Sequence, residues 1–97
     1  MISILLPFQT ETGTWARTTF PTATPTSWVK HLAREVGELA ESQDPAEAAD
    51  CLILLLGLAH VQGYDLMAEA QHKMEINRRR KWGKPDAEGV VEHIESP

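Results

Sequence analysis

Cysteine, long apolar runs and positive charge are scarce in this sequence, and each shortage argues against a class of protein. It contains one cysteine, Cys51, so an intrachain disulfide framework is excluded and a reducing compartment is expected. Its longest apolar run, residues 51–59, is too short to span a bilayer. The opening residues lack the basic start of a signal peptide. We therefore expect a cytosolic protein.

Positive charge is also scarce. Lysine and arginine number 9 against 14 acidic residues, for a net charge of −5, which argues against a nucleic-acid or anionic-membrane binder. Such a protein can still bind phosphates if a divalent cation bridges the two. There is no glycine-rich phosphate loop and no Ser-His-Asp or Cys-His arrangement. Gly37 and Gly57 fall inside predicted helices, where they favour close helix packing.

What is present is an ordinary globular composition, with 42% hydrophobic and 24% charged residues and no repeat. The length predicts a single domain over residues 1–97. A chain of this size buries only about two-thirds of its unfolded surface, so oligomerisation is a natural supplement to its small core.

The sequence predicts an extended arm at residues 1–26, a helical core at 27–83 and a polar tail at 84–97. Threonines, prolines and aromatics interrupt any helical period in the arm, which has room for one short strand at residues 2–6. In the core, apolar spacing and capping residues predict helices at 27–42 and 45–62, and a third helix that Asp65 caps and that ends near Trp82. A short apolar patch in the tail, Val90, Val91 and Ile94, is expected to dock.

The second predicted helix is apolar around its whole circumference at residues 51–59. One short chain offers too few partners to cover every side of such a helix. The predicted class is therefore all-α, with a helical hairpin and a third helix assembled into an oligomeric bundle.

Four carboxylates form the most informative pattern. Glu35 and Glu38 lie three residues apart on the first helix, and Glu47 and Asp50 have the same spacing on the second. A short turn makes these helices antiparallel, so the two pairs stand level. Crowded like charges need protons or cations, and an all-oxygen ligand set suits Mg²⁺ or Mn²⁺. A solvated surface with a capping-box Glu47 is the alternative.

A second pattern lies on the third helix, where Lys73, Asn77 and Arg80 share one face. Two cations and an amide are groups that a triphosphate requires. The alternative is a basic helix end that complements the helix dipole. The spacing alone does not decide between them.

These motifs resemble a known enzyme family. They are Trp28-x-x-His31-Leu32-x-x-Glu35-x-x-Glu38, Glu47-x-x-Asp50, Lys73-x-x-x-Asn77-x-x-Arg80-x-Trp82 and Glu92-His93-Ile94, with Trp15-x-x-x-Thr19-Phe20 ahead of the first helix. Over residues 14–95 the chain looks like a phage dATP/dGTP pyrophosphohydrolase of the MazZ type. These enzymes are MazG-like all-α NTP pyrophosphatases.

The resemblance implies hydrolysis of dATP or dGTP to the monophosphate and pyrophosphate, with Mg²⁺ or Mn²⁺. It implies that Glu35, Glu38, Glu47 and Asp50 are catalytic metal ligands, one of which also orients or deprotonates the attacking water. Lys73, Asn77 and Arg80 would hold the phosphates. It also implies a homo-oligomer, a dimer or tetramer, that acts in the cytoplasm, of the host cell if viral.

Several alternatives stay open. The turn between the acidic pairs is short for the family, so a ligand from a longer loop is in doubt and Glu41 would have to substitute. Trp15 and Phe20 would either stack on a base or anchor the arm. A nucleotide-binding or helical interaction module without turnover is the main rival function. A di-iron bundle is disfavoured, because Glu69-x-x-His72 supplies only one of its two required fragments.

Overall fold

The computed structural model describes residues 2–95 and is mostly helical. Its elements are α1 (Leu6–Thr19), α2 (Pro25–Ser42), α3 (Pro45–Gln62), α4 (Leu66–Arg79), β1 (Lys81–Trp82) and β2 (His93–Glu95). The chain divides into two compact units, Met1–Met67 and Ala68–Pro97. Residue 1 of the predicted arm and residues 96 and 97 of the predicted tail lie outside the described residues. The predicted single domain stays a prediction.

The N-terminal segment contains a helix, so the extended arm predicted for residues 1–26 is wrong. α1 begins at Leu6 with Pro7 in its first turn, where the missing N–H of proline costs nothing. Threonine lowers its intrinsic helix propensity, but packing against α3 outweighs this. The buried residues of α1 are Gln9, Thr12, Gly13 and Ala16. They recur at helical spacing but are small or polar, so a search for apolar periodicity misses them.

α2 begins at Pro25, two residues before its predicted start, and ends at Ser42 as predicted. Its start is fixed by a reciprocal capping box. The Thr24 hydroxyl accepts a hydrogen bond from the Ser27 backbone N–H at 3.2 Å, and the Ser27 hydroxyl accepts one from the Thr24 N–H at 2.7 Å. The cap satisfies two N–H groups that a helix start otherwise leaves unpaired.

α3 has the predicted bounds. The Asp44 carboxylate accepts a hydrogen bond from the Ala46 N–H at 2.9 Å, and Gly63 ends the helix with a φ of 79°. Trp28 and Gly57, which are equidistant from the turn between α2 and α3, are in contact. The two helices therefore form the predicted antiparallel hairpin, and α3 packs against both α1 and α2.

The core of the first unit is small and centres on Ala16, Trp28 and Leu54. Among the described residues, α3 is the one helix long and apolar enough to cross a membrane, judged by length and composition. The central helix of a soluble protein meets the same criterion, so this is weak evidence for a membrane span.

A buried glutamine ties α1 to the segment that follows α3. Gln9 is 2% exposed. Its amide donates a hydrogen bond to the Tyr64 carbonyl at 2.6 Å and accepts one from the Leu66 N–H at 3.0 Å. Nearby, the Ser3 hydroxyl and N–H both donate to the Asp65 carboxylate, at 2.6 and 2.8 Å. These bonds hold the residues at which α4 begins.

In the second unit, α4 ends at Arg79 rather than at the predicted Trp82. After Arg80, Lys81 and Trp82 form β1, which pairs antiparallel with β2. The Trp82 indole N–H donates to the Asn77 carbonyl at 3.0 Å, which folds the strand back against the helix end. The partner strand comes from the tail, so local sequence around Trp82 gives no sign of this early stop.

Candidate metal and nucleotide site

The α2–α3 hairpin brings the predicted carboxylates together. Glu35, Glu47 and Asp50 each offer an oxygen atom, and these atoms lie within 4.8 Å of one another. Glu38 is close enough to raise the pKa of both Glu35 and Glu47. We call these four residues the carboxylate cluster. It draws two residues from each helix, as the spacing about the turn predicts.

The cluster is short of positive charge. The pKa of Glu35 is raised by a hydrogen bond with the Glu38 carboxyl, by burial, and by the charges of Glu38, Asp50 and Glu47. The pKa of Glu47 is raised first by burial and then by Glu38. Both carboxyls are half-buried, which weakens the hydration that would stabilise their charge.

Glu35 has an oxygen that lacks a protein partner. Its Oε1 lies 3.4 Å from Nε2 of His31. Its Oε2 is buried and, within the described part of the chain, accepts no hydrogen bond. A buried, unsatisfied acceptor is costly. A hard divalent cation would satisfy this oxygen and lower the raised pKa values, so the residues present fit Mg²⁺ or Mn²⁺.

Glu47 does not form the capping box that was the alternative to a metal site. In a capping box Glu47 would accept a hydrogen bond from the Asp44 N–H, but that N–H donates to the Ser42 hydroxyl at 3.1 Å. The Glu47 carboxyl is therefore available to the cluster. Beside it, Cys51 is buried, and burial followed by the charge of Glu35 raises the pKa of its thiol. A neutral thiol is a poor nucleophile, so Cys51 is not a candidate catalytic residue.

The predicted phosphate-binding residues belong to the second unit. Lys73 and Asn77 lie on α4, and Arg80 follows its end. The structure joins two of them, because the Arg80 guanidinium donates from Nη1 to the Asn77 side-chain oxygen at 3.2 Å. The buried Arg80 Nε has no hydrogen-bond partner among the described residues. Lys73 is exposed.

An aromatic group surrounds Phe20 in the first unit. Its ring meets Trp15, Trp28 and His31 edge to face, with centroids 5.7, 6.2 and 6.1 Å away. Trp15, the predicted base-stacking residue, lies on α1 and is 55% exposed. It is therefore tied to Phe20 and is still accessible.

Next to this group lies a cavity of about 520 Å³, which we call the aromatic cavity. Its walls come from the α1–α2 connection and from α2, and they include Phe20, Trp28, Lys30, His31 and Arg34. The sequence motifs include His31 but neither Lys30 nor Arg34. The one available signal in the sequence was the i, i+4 spacing of Lys30 and Arg34 on the helix that carries Glu35.

Comparison with known proteins identifies the family. The profile of the dATP/dGTP pyrophosphohydrolase family matches residues 8–97. The chain belongs to that family. It is 36% identical over 97 residues to the dATP/dGTP diphosphohydrolase of Cyanophage S-2L, covering 97% of this chain and 91% of that protein. It is 38% identical over 82 residues to a dATP/dGTP diphosphohydrolase of Salmonella phage PMBT28, where the match covers 82% of this chain and 28% of that protein.

A solved structure shares the fold of this family member. It is the Cyanophage S-2L MazG-like pyrophosphohydrolase bound to dGDP and three catalytic Mn²⁺ ions per active site. The TM-score is 0.80 at 34% identity, over 95% of this chain and 93% of that one. The predicted family and the MazG-like helical fold are therefore confirmed. The roles predicted for individual residues stay predictions.

Proposed function

We propose that this protein is a metal-dependent pyrophosphohydrolase that converts dATP or dGTP and water to the nucleoside monophosphate and pyrophosphate. The observation that carries the proposal is the carboxylate cluster, found in a member of the dATP/dGTP pyrophosphohydrolase family. The phage relatives are named for this reaction, and the similar structure holds a purine nucleotide and Mn²⁺.

Glu35, Glu38, Glu47 and Asp50 would hold Mg²⁺ or Mn²⁺ through their carboxylate oxygens. An ion held there would lower the pKa of water and stabilise the leaving pyrophosphate. One carboxylate of the cluster would orient or deprotonate the attacking water, while the phosphoanhydride bond breaks and pyrophosphate departs. The buried and unsatisfied Oε2 of Glu35 supports its assignment as a ligand.

Lys73, Asn77 and Arg80 would bind the phosphates of the substrate. The hydrogen bond between Arg80 and the Asn77 side chain restricts the guanidinium before any ligand arrives, and a pre-oriented cation loses less entropy on binding. Trp15 would contribute to base binding through the aromatic group that it forms with Phe20.

The protein would act as a homo-oligomer, a dimer or tetramer. Within α3, the buried residues are Cys51, Leu54, Leu56, Gly57 and Ala59. Several of its other apolar side chains are only half-buried, and Leu52 is 43% exposed. A second copy is the partner that we infer for this surface. Because the relatives are phage proteins, we also infer that the protein works in the host cytoplasm.

The proposed reaction is tested by incubating the protein with each common NTP and dNTP in Mg²⁺ or Mn²⁺ and separating the products by ion-exchange chromatography. We expect dAMP or dGMP with pyrophosphate, and no reaction in EDTA. Glu35→Gln, purified in parallel, controls for contaminating phosphatase. Orthophosphate as the primary product would rule out the reaction, and nucleotide that binds without turnover would favour a binding module.

A further inference from the structure

The aromatic cavity adjoins the carboxylate cluster through His31. His31 lines the cavity, and its Nε2 lies 3.4 Å from Oε1 of Glu35. The two residues are one turn apart on α2, a rise of roughly 5–6 Å. A ligand bound to a metal at the cluster can therefore extend past His31 into the cavity. Both sites belong to the first unit.

The cavity has the size and the walls of a small-molecule site. Its volume of about 520 Å³ falls in the range of roughly 300–1,000 Å³ that ligand pockets occupy. The Phe20 ring in its wall is held edge to face by three aromatic partners. A ring fixed in this way loses little freedom when a flat ligand stacks on it.

Two cations complete the cavity. Lys30 and Arg34 are four residues apart on α2 and both line it. Among the described residues, neither side chain has a carboxylate partner in an ion pair. Arg34 directly precedes Glu35 in the sequence. Hydrogen-bond donors are thus free at the edge of a cavity that has an aromatic wall.

We propose that the aromatic cavity binds the base of the substrate, and that Lys30 and Arg34 select purines by donating hydrogen bonds to N7. This inference rests on the proposed function. Adenine and guanine both carry the N7 acceptor, and pyrimidines have none. Guanine adds O6, which an arginine can reach together with N7. One pair of donors therefore accepts both purines and leaves a pyrimidine without its partner.

The test removes the acceptor from the substrate. In 7-deaza-dGTP and 7-deaza-dATP a C–H group replaces N7, and the phosphates and sugar are unchanged. We expect wild-type kcat/KM to fall about tenfold or more against the parent nucleotides, as for loss of a base-reading contact. Dissociation constants of dGMP and 7-deaza-dGMP, measured by quenching of tryptophan fluorescence, should differ in the same direction. Equal values for parent and analogue in both assays would overturn the proposal.

Variants of Lys30 and Arg34 then show which side chain donates the hydrogen bond to N7. In Arg34→Met and Lys30→Met the penalty for the 7-deaza analogues should shrink, and in the double variant it should vanish. Arg17→Met is the matched control, because Arg17 is an exposed cation of the first unit that lies outside this cavity. It should keep the full penalty. If the Lys30 and Arg34 variants lose activity equally on parent and analogue, the cations serve the phosphates and the proposal fails.

The outcomes separate this proposal from the proposed function. Hydrolysis of dGTP to dGMP and pyrophosphate without discrimination of 7-deaza-dGTP would leave the function intact and remove the base site. Absence of hydrolysis for every dNTP would remove the function. In that case the dissociation constants of dGMP and 7-deaza-dGMP still show whether the aromatic cavity binds the base through N7.

Discussion

At the scale of single residues, the carboxyls of Glu35 and Glu47 give the site a dependence on pH. A carboxyl with a raised pKa holds its proton more tightly in the folded chain than in the unfolded one. The folded state of the metal-free protein is therefore stabilised at acidic pH. It loses this stability as the pH rises from the ordinary value of 4.5 through the raised pKa values of these two groups.

We accordingly expect the metal-free protein to have a higher melting temperature in mildly acidic buffer than at neutral pH. Thermal melts in EDTA, followed by circular dichroism across that range, measure the effect. Glu35→Gln with Glu47→Gln is the matched variant, because it removes both charges and keeps the shapes. Its melting temperature should rise at neutral pH and vary less with pH. A wild type that is more stable at neutral pH without metal would contradict the crowded-charge interpretation.

Asp50→Asn separates a metal ligand from a surface residue. Removing one of four repelling charges should leave the metal-free melting temperature equal to or above that of wild type. Added Mg²⁺ should stabilise wild type by mass action and the variant much less. Hydrolysis should fall by orders of magnitude, because a ligand of the catalytic metal is lost. A small loss of stability with an unchanged metal response and near-normal activity would remove Asp50 from the site.

At the scale of the helices, two glycines allow close packing against α3. A Cβ atom at Gly57 would lie 2.6 Å from the Trp28 ring, and one at Gly13 would clash with the His60 side chain. At Gly37, by contrast, a Cβ atom would meet nothing within 4 Å. Gly13 and Gly57 therefore have a packing role that Gly37 lacks, although sequence alone gives Gly37 and Gly57 the same role.

Alanine at these positions should have opposite effects. Gly57→Ala should destabilise the protein by about 1–3 kcal/mol, because the buried Trp28 ring must move. Gly37→Ala should stabilise it by roughly 0.5–1 kcal/mol, because glycine is a poor residue inside an open helix. Chemical denaturation monitored by tryptophan fluorescence measures both. Similar losses in the two variants would show that packing at Gly57 is not the cause.

The helical hairpin was predictable because its signals are local. Asp44, Pro45 and Gly63 mark the ends of α3 within a few residues of sequence, and the spacing about the turn places the carboxylate cluster. α1 was missed because its buried face is made of small and polar residues that only packing against α3 makes helical. The early end of α4 was missed for a related reason, since β1 pairs with residues of the tail. The aromatic cavity is lined by residues of the α1–α2 connection and of α2, so no periodic pattern in the sequence predicts it.

At the scale of the whole molecule, the first unit leaves several large apolar side chains exposed. Leu52 and Phe8 are each 43% exposed. Phe8 and Ile53 also line a second cavity, of about 320 Å³, between α1 and α3. Exposed apolar groups that adjoin in this way mark interaction surfaces. This supports the inference that a second copy covers α3.

Leu52→Glu should therefore weaken self-association. Burying a carboxylate in an apolar interface is costly unless it is paired, so the apparent mass of the variant should shift toward that of one chain. Multi-angle light scattering across a micromolar dilution series measures this directly. Gln62→Glu is the matched control, because it adds the same charge at an exposed position of the same helix without removing an apolar side chain. It should keep the mass of wild type. A wild type that is monomeric throughout the series would contradict both the oligomer and the assignment of α3 as its interface.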